Sequence, residues 1–102
     1  MPRLTMVRYT VKPEAAEENV RLSRAVFDEV RTNQPADIAY GLFRQGDEFF
    51  HVFLNMAEDC SDAVTALPSF KAFEADMAAR VLAAPAVSRV AAERIDSYGL
   101  PA

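Results

Sequence analysis

Three features of the chain predict an α+β domain with its elements in the order βαββαβ. Two apolar runs meet at Gly46-Asp47, an amphipathic helical pattern precedes them, and a second helical pattern follows. The sheet should be antiparallel and four-stranded, with both helices on one face. At 102 residues the chain has room for a single domain, spanning residues 1–102.

The centre of that prediction is residues 37–55, DIAYGLFRQGDEFFHVFLN, which read as a β-hairpin. Gly46-Asp47 is a two-residue turn signal with glycine first, as a type II′ turn prefers. Folding there sets Gln45 opposite Glu48, Phe43 opposite Phe50, Gly41 opposite Val52 and Ala39 opposite Leu54 on one face. The other face carries Arg44 opposite Phe49, Leu42 opposite His51, Tyr40 opposite Phe53 and Ile38 opposite Asn55. The first face is small, aliphatic or aromatic, and is expected to receive the helix layer. The second mixes aromatic bulk with Tyr, His, Asn and Arg, and is expected to meet a ligand or a second subunit.

The flanking elements follow in order. Leu4 to Val11 is rich in β-branched and aromatic residues and ends at Lys12-Pro13, which makes it the first strand. Its alternation leaves open which face meets the helices. Pro13 suits a first helical position, and Glu14, Glu17 and Glu18 favour the positive end of a helix dipole. Ala16, Val20, Ser23, Phe27 and Val30 recur at helical spacing, widened by Leu22 and Val26, to about Thr32. Glu17 and Arg21 form a four-residue pair on the wetter side.

After the hairpin, Ser61-Asp62 is a helix start, and Pro68 divides a short helical turn from a longer helix. Phe70, Phe73, Met77 and Val81 give the longer helix an apolar stripe, and Pro85 ends it or closely follows its end. Arg89 to Tyr98 reads as the last strand, with alanines and charges that suit an exposed edge.

This order is the ferredoxin-like, split βαβ arrangement. It places the first strand beside the third and the fourth at an edge. With helices on one face only, Ile38, Tyr40, Leu42, Phe49 and Phe53 would remain on the other. Each buried large apolar side chain contributes roughly 1.5–3 kcal/mol, so five in water would forfeit most of a small domain's stability. A homodimer through that sheet face is therefore expected.

Composition narrows the partners. A net charge of −4 without a basic stripe excludes a nucleic-acid or anionic-membrane partner, and no apolar run approaches a membrane span. Met1 to Thr5 run directly into a strand, so no signal peptide is read there. The lone Cys60 cannot form an internal disulfide, and the expected location is cytoplasmic. His, Cys, Asp and Glu show no metal-ligand spacing, and three glycines build no phosphate loop, so neither metal nor cofactor is expected.

Val7 to Glu14 (VRYTVKPE) and Ala66 to Met77 (ALPSFKAFEADM) carry a resemblance to the dimeric α/β-barrel superfamily. Within it the chain is similar to the antibiotic-biosynthesis-monooxygenase-like group, which shares the small-residue, Pro, Phe-x-x-Phe pattern. The resemblance implies oxidation of a small aromatic or polyketide-type substrate without metal or flavin. Other members degrade haem, isomerise their substrates or have no known activity. The chain departs from the group twice, with Ala57 where a tryptophan often follows the third strand and Val64 where a helical histidine often stands.

His51, the only histidine, is a candidate general base for a phenolic or enolic substrate, against the alternative of a histidine packed at an interface. Asn55 is a candidate donor to an oxyanion or to dioxygen, against a turn-favouring residue at a strand end. Tyr9, Tyr40 and Arg94 can orient an apolar ligand held against Phe53, Phe70 and Phe73, against core packing for the aromatics and surface pairing for Arg94. Two functions compete: a cofactor-independent oxygenase-like enzyme using His51 and Asn55, and a non-catalytic ligand-binding or structural dimer, which Ala57 and Val64 favour. An isomerase acting on an enolisable acid is a third.

Overall fold

The computed structural model describes residues 3–55, 62–82 and 86–99. Four strands, β1 (Arg3–Thr10), β2 (Ile38–Gln45), β3 (Glu48–Asn55) and β4 (Ala86–Ala91), form one antiparallel sheet in the order β2-β3-β1-β4. The first strand lies beside the third and the fourth at an edge, as the element order predicts. The hairpin has the expected register throughout, from Gln45 opposite Glu48 to Ile38 opposite Asn55. Gly46 takes φ +59° while Asp47 does not turn positive, the sign pattern of a type II′ turn.

Helix α1 spans Ala16–Asn33, preceded by a 3-10 turn at Pro13–Ala15. Lys12 and Leu67, each before a proline, hold extended ψ near 140°, because a proline ring disfavours the helical region for its predecessor. Each proline then opens a helical segment where its missing N–H is harmless. Gln34 ends α1 in the left-handed region, its N–H on Val30 O at 2.8 Å. The second helical region comprises α2 (Asp62–Thr65), α3 (Pro68–Ala75) and α4 (Met77–Arg80), broken at Asp76. It ends at Arg80 rather than near Pro85, because the chain beyond it turns extended and bridges to β1, pairing Val81 with Val11.

Three expectations are corrected. The last strand lies at Ala86–Ala91, not at 89–98: its register along β1 begins at Ala86 opposite Arg8 and ends at Ala91 opposite Arg3, where β1 itself begins. Arg21 pairs with Glu18, and Glu17 instead reaches Arg44 at 3.1 Å. The third concerns the faces of the sheet. The helices cover the Tyr40, Phe49, His51 and Phe53 face, not the Phe43, Phe50 and Val52 face. Alternation along β3 is unambiguous, with Phe49, His51, Phe53 and Asn55 buried and the residues between them half-buried. On β1 Tyr9 turns inward, as does Val11 just beyond it.

The physical reason is that the helix layer is polar at its centre. Asn19 and Ser23 of α1 and Arg80 of α4 are buried; Asn19 donates to the Tyr9 hydroxyl, and Ser23 and Arg80 donate in turn to the backbone and side-chain oxygens of Asn19. The fully buried positions of α1 are Ala16, Asn19, Ser23 and Val26, a stripe rotated from the expected one, with Val20, Phe27 and Val30 at its flank. The uncovered face carries Met6, Phe43 and Val90 at 47%, 63% and 46% exposure. Beside them Arg8 pairs with Glu48 at 3.1 Å and lies over the Phe50 ring. The homodimer surface expected at Tyr40 and Phe53 is thus occupied by the protein's own helices. Ala57, Cys60, Ser61 and Pro85 lie outside the described residues.

Candidate functional site

Under the helices, two tyrosines from two strands converge on the ring of His51, and a side chain from each of α1 and α4 extends the contact behind one of them. Val7 lies opposite His51 and Tyr9 opposite Phe49, so Tyr9 projects on the same face one pleat away, and Tyr40 does so from β2. The Tyr9 hydroxyl lies 2.8 Å from His51 Nε2, and the Tyr40 hydroxyl 2.7 Å from His51 Nδ1. Asn19 Nδ2 donates to the Tyr9 hydroxyl at 3.0 Å. Arg80 Nε donates in turn to Asn19 Oδ1 at 3.0 Å. The result is one continuous chain, Tyr40–His51–Tyr9–Asn19–Arg80, crossing from the outer strand to α4.

Its far end is anchored by backbone. Arg80 O accepts from Lys12 N at 2.7 Å, and Leu82 N donates to Thr10 O at 2.9 Å, which ties the end of α4 to the end of β1. Arg80 Nη2 donates to Phe73 O at 2.7 Å, and the guanidinium lies 5.0 Å from the Phe73 ring centre. Nη1 has no hydrogen-bond partner, although Arg80 is only 4% exposed. Among the described residues no carboxylate stands within ion-pair distance of it. Ser23 Oγ donates to Asn19 O at 2.7 Å on the neighbouring turn of α1.

Aromatic rings enclose the chain. Phe27 stacks on Tyr40 at 4.6 Å, Phe53 meets Tyr40 edge-on at 5.6 Å, and Phe49 stacks on Tyr9 at 5.8 Å. Phe73 is tilted against His51 at 5.7 Å and Phe70 against Phe73 at 6.1 Å. This dry surrounding sets the charge states. Burial pushes His51 down to about 4, so its ring is neutral near pH 7. Burial pushes Tyr9 up to about 12 against the opposing effects of Asn19 and the Arg80 charge. Tyr40 is raised above the usual phenol range, again by burial and then by Tyr9.

Of the residues singled out from sequence, His51, Tyr9, Tyr40, Phe53, Phe70 and Phe73 are gathered in this group. Both His51 nitrogens are occupied by tyrosine hydroxyls, so any proton passing between His51 and a ligand travels through Tyr40 or Tyr9. Asn55 is buried on the same face but lies four residues along β3, roughly 13 Å from His51 at 3.3 Å per residue. Arg94 lies beyond β4, its Nη1 donating to Ser97 Oγ at 3.2 Å.

Asn19 and Arg80 escaped the reading of the sequence. Their signal was polarity at a core register: Asn19 lies four residues before Ser23 and three after Ala16, and Arg80 follows Phe73 and Met77 on the same helical face. A groove of about 450 Å³ runs between α1 and β2, lined by Val20, Phe27, Leu42, Arg24, Arg31 and Arg44 among others. Phe27 and Phe49 are the residues it shares with the aromatic group. Among the described residues no cluster of three or more His, Cys, Asp or Glu gathers for a metal, and no helix is long and apolar enough to cross a membrane.

No family model matches the chain, and no curated protein does. Solved structures do match. Rv0793 from Mycobacterium tuberculosis superimposes with a TM-score of 0.79 at 18% identity, over 95% of this chain and 100% of that one. A protein named as an antibiotic biosynthesis monooxygenase gives 0.70 at 23% identity, over 92% and 100% of the two chains. A Caulobacter crescentus CB15 protein named as a candidate for the same activity gives 0.77 at 21% identity, over 91% of each chain. The chain has the ferredoxin-like α+β fold of antibiotic-biosynthesis-monooxygenase-like proteins.

Proposed function

We propose that this protein is a cofactor-independent, monooxygenase-like enzyme acting on a small aromatic or polyketide-type substrate. The observation that supports the reading is a neutral, buried imidazole held between two tyrosine hydroxyls and walled by Phe27, Phe53 and Phe73. Such a setting suits a flat, enolisable ligand bound out of water. The likeness in fold to proteins named for this activity points the same way.

In this scheme the substrate ionises to its own enolate or phenolate, which supplies the electrons that reduce dioxygen. One oxygen atom enters the substrate as a carbonyl in place of two C–H bonds, and the other leaves as water. His51, through Tyr40, favours the ionised substrate, and Asn55 polarises the incoming oxygen. Both serve one ligand only if it extends along β3, as a fused-ring substrate does. Tyr9, Phe70 and Phe73 complete the wall, while Arg94 enters only if the segment after β4 folds back. The protein works as a cytoplasmic homodimer, now through the uncovered face with Met6, Phe43 and Val90, whose apolar surface invites a second copy.

Oxygen uptake with an anthrone and hydroquinone panel tests the proposal: uptake should occur with the wild type and be lost in His51→Ala and Asn55→Ala. No uptake from the folded wild type across the panel would sink it. Thermal shifts with the same compounds would then favour the non-catalytic ligand-binding dimer, and solvent-deuterium exchange into them an isomerase.

A further inference from the structure

We propose that Arg80, Asn19 and Tyr9 are positioning residues that fix the direction of the hydrogen-bonded chain, so that every donor points from the buried guanidinium towards Tyr40, whose hydroxyl proton is offered to a carbonyl or oxyanion oxygen of the ligand.

The direction follows from which groups can only donate. A guanidinium has no acceptor, so the atom of Asn19 that faces Arg80 Nε at 3.0 Å must be the amide oxygen. The amide NH2 of Asn19 therefore faces Tyr9, and the Tyr9 oxygen accepts it at 3.0 Å. The proton of the Tyr9 hydroxyl then has one partner in reach, His51 Nε2 at 2.8 Å. With Nε2 accepting, a neutral imidazole carries its proton on Nδ1, and Nδ1–H donates to the Tyr40 oxygen at 2.7 Å. The Tyr40 proton is left over and must point away from the ring. In the opposite arrangement the Tyr9 oxygen would accept twice and its proton, in a residue 3% exposed, would face no acceptor.

Among the described residues no carboxylate forms an ion pair with the guanidinium, which keeps one nitrogen without a hydrogen-bond partner, and its charge acts on Tyr9 in the chain. Aligned hydrogen bonds reinforce one another in a dry interior. The ligand at Tyr40 is thereby an acceptor: a carbonyl, or the enolate or phenolate it becomes. This inference rests on the proposed site but changes the part played by His51, which supports an anion and does not itself take the substrate's proton.

Because the chain has one histidine, its ring is a single resonance system in long-range proton–nitrogen NMR spectra. The ligand-free wild type should show the Nδ1–H tautomer at pH 7, and an Nε2–H tautomer would overturn the proposal. Asn19→Asp preserves shape but turns the donor towards Tyr9 into an acceptor. It should draw the Tyr9 proton to itself and flip His51 to Nε2–H; an unchanged tautomer in the folded variant would overturn the assignment of direction. Should that variant not fold, the wild-type tautomer decides alone. For the ligand, 4-nitrophenol titrated spectroscopically with saturating protein should ionise at lower pH than in buffer. That shift should vanish in Tyr40→Phe, and an unshifted or raised titration in the wild type would overturn the oxyanion assignment. The tautomer is read without turnover, so failure of the oxygen-uptake test and failure here are separate results.

Discussion

Replacing Tyr9 by phenylalanine removes one oxygen atom from the middle of the buried chain and leaves both of its neighbours without a partner. Asn19 Nδ2–H loses its acceptor and His51 Nε2 its donor, in residues 0% and 8% exposed respectively. Each buried polar group stranded in this way costs about 1–3 kcal/mol. The gain from no longer burying a hydroxyl offsets part of that, and the ring's stacking on Phe49 at 5.8 Å and His51 at 5.4 Å is retained. The net expectation is a loss of about 2–4 kcal/mol, a large share of the ~5–15 kcal/mol that holds a domain together. Tyr40→Phe is the internal comparison. Its hydroxyl has one partner within the protein and sits in a half-buried residue, so its loss should cost about 1 kcal/mol. The chain has no tryptophan, so urea unfolding is best followed by far-UV circular dichroism, comparing midpoints at constant slope. A Tyr9→Phe loss below about 0.5 kcal/mol, or one no larger than that of Tyr40→Phe, would refute the idea that the chain is a cooperative part of the core.

Acid should weaken the fold through His51 before it does so through the carboxylates. The ring titrates at about 4 when folded against 6.5 when free, so below 6.5 the unfolded state binds the extra proton and stability falls with pH. Between pH 7 and pH 5 the loss should be about 2 kcal/mol in urea unfolding, and His51→Gln should abolish most of that slope. A wild-type slope equal to that of the variant would contradict the buried neutral ring. On the uncovered face, Phe43→Glu combined with Val52→Glu should leave circular dichroism unchanged and convert a dimer to a monomer in light scattering at micromolar concentration. A wild type that is already monomeric there would remove the case for a second copy.

The hairpin was legible because a glycine-first turn fixes the register and a period of two then assigns every side chain to a face. The prolines were equally informative: Pro13 and Pro68 each open a helical segment and force the residue before it to be extended. The last strand was misplaced because 92–97 alternate as a strand does, while the hydrogen-bonding edge of β1 had already been used up by 86–91. Pairing length is a property of the neighbouring strand, and a local pattern does not contain it. Which face the helices cover was misjudged for a related reason. Tyr40, His51 and Asn55 amid aromatic bulk have the mixture expected of a ligand pocket or a subunit interface, an expectation that assumes an apolar helix layer.

That assumption fails at two positions, and those two decide the architecture of the site. Had α1 and α4 presented only aliphatic residues, covering Tyr9 would have left its oxygen without the donor that Asn19 supplies, while His51 keeps its partners within the sheet, on Tyr9 and Tyr40. Asn19 and Arg80 remove that cost, because Asn19 offers Tyr9 a donor and Arg80 holds Asn19 in place, and each is itself in need of a partner. A buried guanidinium with no ion-pair partner among the described residues is tolerable while Asn19 Oδ1, Phe73 O and the Phe73 ring share it. The two demands are met by the same contacts, so the polar chain selects the covered face. The uncovered face is then left to residues that cannot satisfy a buried hydroxyl: Leu4, Met6, Phe43, Val52 and Val90. On this view, Asn19→Leu together with Tyr9→Phe should be less harmful than the sum of the single changes, since the pair removes donor and acceptor at once. Strict additivity in urea unfolding would show that packing alone, and not the polar chain, holds the helices to this side of the sheet.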